Sequence, residues 1–351
     1  MINVLLAAVF GLAMTLLGTP LAVRTFRRRG WGQMIREEGP QAHYEKRGTP
    51  TMGGLVILAG TIVGYFAGHL AAITSEGFVA SFADSGLLAI GTITALGILG
   101  FLDDFIKIRK ARSLGLQKRA KFLGQLAISL VFTFLAIEVV NIGTDVSFIR
   151  STKIDLGLFF YVWVFLMIAA ASNGVNLTDG LDGLAVGSAA QVLGAFIVIG
   201  FWQFRHPFFY DLAVQGSDPL DIAIVAGALF GSCAGFLWWN TAPAKIFMGD
   251  TGSLMLGGAM AVLAILLNIQ LLLIVMGGLY VVETMSVILQ VAIFKRTGKR
   301  IFKMAPIHHH YELAGWPEFT VIVRFWVLSG LSAAFGLGLF YADFLSKGGQ
   351  A

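Results

Sequence analysis

Ten apolar stretches of roughly membrane-spanning length constrain this chain more than any other feature. They occupy residues 2–23, 52–74, 86–106, 122–141, 157–172, 183–202, 220–238, 253–268, 270–294 and 320–342. A helix crossing a bilayer needs about 20 apolar residues, with a range of roughly 17–25. No water is available there to satisfy backbone N–H and C=O groups, so such stretches must close their own hydrogen bonds as helices. The expected fold is an all-α polytopic membrane protein of about ten transmembrane helices, with one integral-membrane domain over residues 1–351. Composition points the same way: 57% of residues are hydrophobic and 13% charged, against roughly 45–50% and about 25% in soluble domains. Cys233 is the only cysteine, which excludes a disulfide framework and a thiolate metal cluster. No basic segment precedes the first apolar run, so residues 2–23 read as a retained span rather than a cleaved signal.

The basic residues set the expected orientation. Of the 25 Lys and Arg residues, all but Arg150, Lys153, Arg205, Arg324 and Lys347 fall in the odd-numbered loops. Lys and Arg concentrate on the cytoplasmic side of membrane proteins, so those loops are expected inside and both termini outside. The net charge of +5 is then a topology signal, and no nucleic-acid partner is expected.

On that topology, five polar clusters fall on the cytoplasmic face. Asp103 and Asp104 end the third apolar run, followed by Lys107 and, at the start of the next, Lys118, Arg119 and Lys121. Neighbouring residues on a helix point about 100° apart, so the two carboxylates need not share one task, and a divalent metal or a proton on one relieves their repulsion. The first loop carries His43 to Gly54, including Lys46 and Arg47. Thr49 and Pro50 read as an N-cap and first helical position, and a helix N-terminus with adjacent cations suits phosphate. In Asn173–Ala185, Asn176, Asp179 and Asp182 recur every third residue and share a broad face if the segment is helical, while glycines such as Gly180 and Gly183 allow close ligand approach. Trp239–Ser253 holds Asn240, Phe247 and Asp250, the last where a span begins, so that capping competes with metal binding. A carboxylate there, with phosphate oxygens, suits Mg²⁺.

The fifth cluster, Pro306–Trp316, contains His308, His309 and His310, which lack the partners of a structural zinc site and fit anion contact. His43, His69 and His206 stand alone and read as interfacial. Glu283, inside a span, is open to a functional role, to a local helix break, or to pairing with Arg324.

Together, Gly48–Gly54, Leu102-Asp103-Asp104, Asn176–Gly183, Phe247–Ser253 and His308–Glu312 resemble the signature set of the phospho-N-acetylmuramoyl-pentapeptide transferase family, in the family's order. The wider group of polyprenyl-phosphate N-acetylhexosamine-1-phosphate transferases shares the acidic motifs. The resemblance implies Mg²⁺-dependent transfer of phospho-N-acetylmuramoyl-pentapeptide from its UDP-linked donor to undecaprenyl phosphate, giving lipid I and UMP, in the bacterial cytoplasmic membrane. It also implies a ten-helix fold and a homodimer. By motif position, Asp250 is the expected Mg²⁺ ligand with Asp104 assisting, and Asp103 is the expected base toward the lipid phosphate; a covalent Asp–phosphosugar intermediate is the competing mechanism. Asn176, Asp179, Gly180, Leu181, Asp182, Asn240 and Phe247 match nucleotide-binding positions. Lys46, Lys107, Lys121 and His308 match positions near phosphates or sugar, with His308 counted among the catalytic residues and His309 and His310 among those binding substrate. A sister transferase that uses a donor without the peptide is the nearer rival, and a secondary transporter the more distant one, since transporter acids usually lie near the midplane.

Overall fold

The computed structural model describes residues 1–32, 46, 48–70, 82–110, 115–210 and 216–347. The helices are α1 (Ile2–Arg28), α2 (Gly54–Leu70), α3 (Asp84–Arg109), α4 (Lys118–Glu138), α5 (Phe159–Thr178), α6 (Leu184–Arg205), α7 (Pro219–Asn240), α8 (Gly249–Leu266), α9 (Leu272–Met276), α10 (Gly278–Thr297), α11 (Ile307–Leu313) and α12 (Glu318–Ser346). Among the described residues, nine helices are long and apolar enough to cross a membrane. α2, with 17 residues, is a shorter apolar helix. All ten expected spans are helical. The ninth departs from expectation: it is two helices, α9 and α10, separated at Gly277.

α8 is the hub of the bundle. It packs against α3 and α5, and every residue from Thr251 to Leu266 is buried. α1, α4, α10 and α12 lie at the periphery, with large apolar side chains facing outward as lipid-exposed helices require. Lipid tails offer helices no hydrophobic driving force to associate, so close backbone approach through small residues does that work. α7 shows the device: Gly227, Gly231 and Gly235 form a stripe at four-residue spacing, and a Cβ on each would strike Val4, Ala8 and Leu12 or Thr15 of α1.

The helix ends are set locally. Asp218 caps α7, its side chain accepting from the N–H groups of Leu220 and Asp221, with Pro219 in the first turn. Gly298 ends α10 in a left-handed conformation (φ 67°). Thr49 and Pro50 do not cap α2, contrary to expectation. The helix begins at Gly54, and Pro50 instead forms a β-bridge with Gly32.

A two-stranded antiparallel hairpin, β1 (Asp145–Ser147) and β2 (Ser151–Asp155), interrupts the loop between α4 and α5. It docks on the turn after α8, where Ser147 accepts from the backbone N–H groups of Gln270 and Leu271. Arg150 anchors it to α12 through Asp343 (2.7 Å) and stacks on Phe209.

His69, in the last turn of α2, has partners within the protein. It is buried and paired with Asp221 of α7 at 3.0 Å, and the Tyr65 hydroxyl donates to the same carboxylate. His206, half-buried, stacks on Trp202, and His43 lies outside the described residues.

The glycine stripe gives a direct test. Gly231→Leu is expected to destabilise the bundle by about 1–3 kcal/mol through overpacking. Gly91→Ala, at a position with open space around it, is expected to leave stability unchanged or slightly raised. Thermal unfolding of both variants in detergent reads the difference.

Candidate active site

Residues from five helices converge at one end of the bundle. The last turns of α3 bring Asp103, Asp104 and Lys107; the first turn of α4 brings Lys121; the last turn of α5 brings Asn176; and the first turn of α8 brings Asp250. α2 enters at the same end, since the N–H groups of Gly53 and Gly54 donate to the carbonyls of Phe247 and Met248. Those amides are therefore consumed within the protein, which removes the start of α2 as a phosphate cradle.

The two adjacent carboxylates diverge, as their helical spacing requires. Asp104 reaches across to the N-terminus of α8. It accepts from the backbone N–H groups of Asp250 (3.2 Å) and Thr251 (2.9 Å) and from the Thr251 hydroxyl (2.7 Å). A carboxylate at a helix N-terminus complements the orphan N–H groups and the helix dipole. The cap of α8 is therefore supplied by α3, and Asp250, one residue into the helix, keeps its side chain for other partners. Gly249 makes this fit: its φ of 73° suits glycine, and a Cβ there would lie 2.5 Å from an Asp104 oxygen. Asp103 turns toward the segment before α4 and accepts from the Leu116 N–H at 2.9 Å.

Lys107 lies among all three carboxylates, with Nζ at 2.7 Å from Asp103, 3.3 Å from Asp104 and 3.0 Å from Asp250. Lys121 pairs with the other Asp250 oxygen at 2.6 Å. Asn176 donates to Asp250 (2.9 Å) and to the Ser253 hydroxyl (2.7 Å). Asp103, Asp104 and Asp250 each offer an oxygen within 4.8 Å of the others. This all-oxygen set, already drawing an ammonium group into its midst, fits a hard divalent cation.

The Asn176–Gly183 motif is not a single helix, so the condition for one shared face is not met. α5 stops at Thr178, and Asp179 to Gly183 form a turn before α6. Asn176 and Asp182 therefore serve different partners. Asp182 accepts from Lys46 (2.8 Å) and from the Ala244 N–H (2.9 Å). Lys46 also pairs with Glu318, the first residue of α12, at 2.5 Å. Burial works against the Lys46 ammonium, but the two carboxylates outweigh it and hold its pKa above the ordinary lysine value. Asp179 shows the opposite balance. Burial, reinforced by Asp250, Asp104 and Asp182, pushes its carboxyl well above the usual carboxylate range. Leu181 is buried against the start of α12.

Asn240 is buried and donates to the Ile246 carbonyl, holding the 240–247 turn. Phe247 is half-buried, and its backbone bonds to Pro50 and Gly53. The three histidines separate. His308 is wholly buried and faces Glu283 at 3.1 Å. His309 pairs with Glu312 at 2.6 Å. His310 accepts from the Lys303 N–H. Glu283 does not pair with Arg324, which is exposed and stacks on Trp316 at 4.1 Å.

Sequence reasoning missed Thr251, Ser253, Glu318 and the Leu116 and Ala244 amides. Glu318 looks like an ordinary acidic residue in a first helical turn, and a backbone amide carries no mark in sequence.

Comparison with known proteins identifies the family. Residues 87–268 match the profile described as Glycosyl transferase family 4. Residues 46–58 match phospho-N-acetylmuramoyl-pentapeptide-transferase signature 1. The chain is 56% identical over 358 residues to the phospho-N-acetylmuramoyl-pentapeptide-transferase of Frankia casuarinae, covering 99% of each chain. It is 57% identical to that of Frankia alni, again over 99% of each, and 53% identical to that of Saccharopolyspora erythraea over 98% of each. The chain belongs to the phospho-N-acetylmuramoyl-pentapeptide-transferase family, as a multi-span transferase of the bacterial inner membrane.

Proposed function

We propose that the chain transfers phospho-N-acetylmuramoyl-pentapeptide from UDP-N-acetylmuramoyl-pentapeptide to undecaprenyl phosphate, giving lipid I and UMP in peptidoglycan synthesis. The observation that carries this reading is the meeting of three carboxylates with Lys107 and Lys121 at one end of the bundle. A water-soluble donor and a lipid acceptor can meet at a helix-bundle end on the cytoplasmic face. The loop distribution of Lys and Arg supports that sidedness, with both termini outside. We take residues 1–351 as one transferase domain acting as a homodimer.

In the proposed step, an oxygen of the lipid phosphate forms a bond to the donor phosphorus next to the sugar. The bond from that phosphorus to the UMP oxygen breaks, and UMP leaves with the electron pair. Such transfer depends on positioning and on neutralising charge that develops on crowded oxygens. Asp250, with Asp104, would hold Mg²⁺, which supplies that neutralisation when bound. Asp104 has most of its hydrogen-bonding capacity committed to the start of α8, which favours Asp250 as the principal ligand. Asp103 takes the proton of the lipid phosphate, while Lys107 and Lys121 bind phosphate oxygens. Asn176, Asp179, Gly180, Leu181, Asp182, Asn240 and Phe247 line the nucleotide side, with Phe247 against uracil, and Lys46 lies toward phosphate or sugar. His308, His309 and His310 lie toward phosphate and sugar.

UMP release by purified protein supplied with Mg²⁺, undecaprenyl phosphate and each candidate donor tests the assignment. Turnover of the peptide-bearing donor is expected, and turnover of UDP-N-acetylglucosamine alone would overturn the reading. Asp250→Ala is expected to abolish turnover while the protein stays folded, and substantial activity at saturating Mg²⁺ would remove its metal role. Asp103→Asn is expected to lower the rate on the order of 100-fold or more, with donor binding by calorimetry little changed. A phosphosugar-linked enzyme trapped by rapid quench would replace direct transfer with a covalent route.

A further inference from the structure

His308 and Glu283 are both completely buried, yet each keeps a polar atom that no described residue satisfies. Glu283 belongs to α10 and His308 to α11, and the imidazole Nδ1 lies 3.1 Å from a Glu283 carboxylate oxygen. Among the described residues, the second carboxylate oxygen and the imidazole Nε2 have no hydrogen-bond partner. A buried polar atom left unpaired costs about 1–3 kcal/mol, so its survival calls for a reason.

Geometry supplies one. A carboxylate in its ionised form only accepts, so pairing with it would place the ring proton on Nδ1 and leave Nε2 for another partner. That nitrogen faces Gly180, where a Cβ would lie 2.5 Å from Nε2 and 3.2 Å from Nε2 of His309. Any side chain at position 180 would collide with this nitrogen, so glycine is what lets the turn after α5 lie directly against it. The neighbouring rings cannot replace Glu283 as the orienting group, because His309, 4.1 Å away centroid to centroid, is held by Glu312.

We infer that Glu283 is a positioning residue for His308: it holds the imidazole with Nδ1 protonated and directs Nε2 past Gly180 to a hydrogen-bonding atom of the bound nucleotide-sugar donor. This rests on the proposed transfer reaction for the identity of the donor, but not for the dyad itself. The pairing also gives the buried Glu283 a role distinct from proton-coupled transport. A carboxylate deep in a span is retained here because it fixes a second residue, as carboxylates that orient functional imidazoles do elsewhere.

A double-mutant cycle with a spectroscopic readout tests the dyad. Glu283→Gln preserves volume but no longer presents an obligatory acceptor to Nδ1. It is expected to lower kcat/KM for the donor by roughly 10- to 100-fold, the range carried by a group that orients a functional imidazole. His308→Ala is expected to lower it at least as far, and adding Glu283→Gln in the His308→Ala background should change it less than about twofold. An equal further loss in that background would show that Glu283 acts independently of His308 and would overturn the proposal. ¹⁵N-histidine spectra of the wild-type protein should show the ring assigned to His308 protonated at Nδ1, with the signal lost or split in Glu283→Gln. A His308 ring bare at Nδ1 would also overturn the dyad. Thermal transitions of the variants separate these results from misfolding. Absence of UMP release by the wild type would count against the transfer reaction alone, leaving the spectroscopic result to decide the dyad.

Discussion

The contact between Asp104 and the N-terminus of α8 is the interaction on which the site depends. One carboxylate at the end of α3 receives two backbone N–H groups and a hydroxyl from the opening turn of α8. Hydrogen bonds to a charged group contribute about 1.5–3 kcal/mol each, and these are buried, where competition from water is weakest. The contact fixes the end of α3 against the central helix of the bundle. Asp103 and Lys107 are thereby held on one side and Asp250 on the other, within reach of a common ion. Without this lock, Lys107 and Lys121 alone would hold the three like charges together.

The rest of the end face follows from the same logic of pairing. Lys107 balances three carboxylates and Lys121 one of them. Lys46 joins two others that belong to distant parts of the chain, Asp182 and Glu318. The Lys46–Glu318 pair also ties a loop to a helix. The charge that suits the site to phosphates therefore also shapes its walls, and removing a single partner leaves a buried charge uncompensated.

Backbone approach is the second determinant. Helices in lipid associate through packing more than through hydrophobic burial, and the glycine stripe of α7 lets α1 lie against it. At the site, Gly249 and Gly180 do the same for side chains, one admitting Asp104 to the start of α8 and the other letting the turn after α5 lie directly against His308.

The ten spans were legible in the sequence because a bilayer leaves an apolar stretch of that length little option but a helix. The acidic pair, Asp250, Asn176, Lys46 and the histidine run were legible because charge in so apolar a chain must be explained. Their partners were not. Whether Asp250 capped its own helix or was capped from α3 depended on where a helix 146 residues earlier in the chain came to rest. That Glu283 meets His308, and that Arg324 turns outward to Trp316, depended on how α10, α11 and α12 came to lie against one another. The division of Asn176–Gly183 into a helix end and a turn depended on Lys46, Glu318 and Ala244 arriving to bind Asp182. Local sequence determined which residues were costly to bury and which segments were helices. Only the tertiary structure decided which costly groups met, because compensation of a buried charge is a property of neighbours in space and carries no period along the chain.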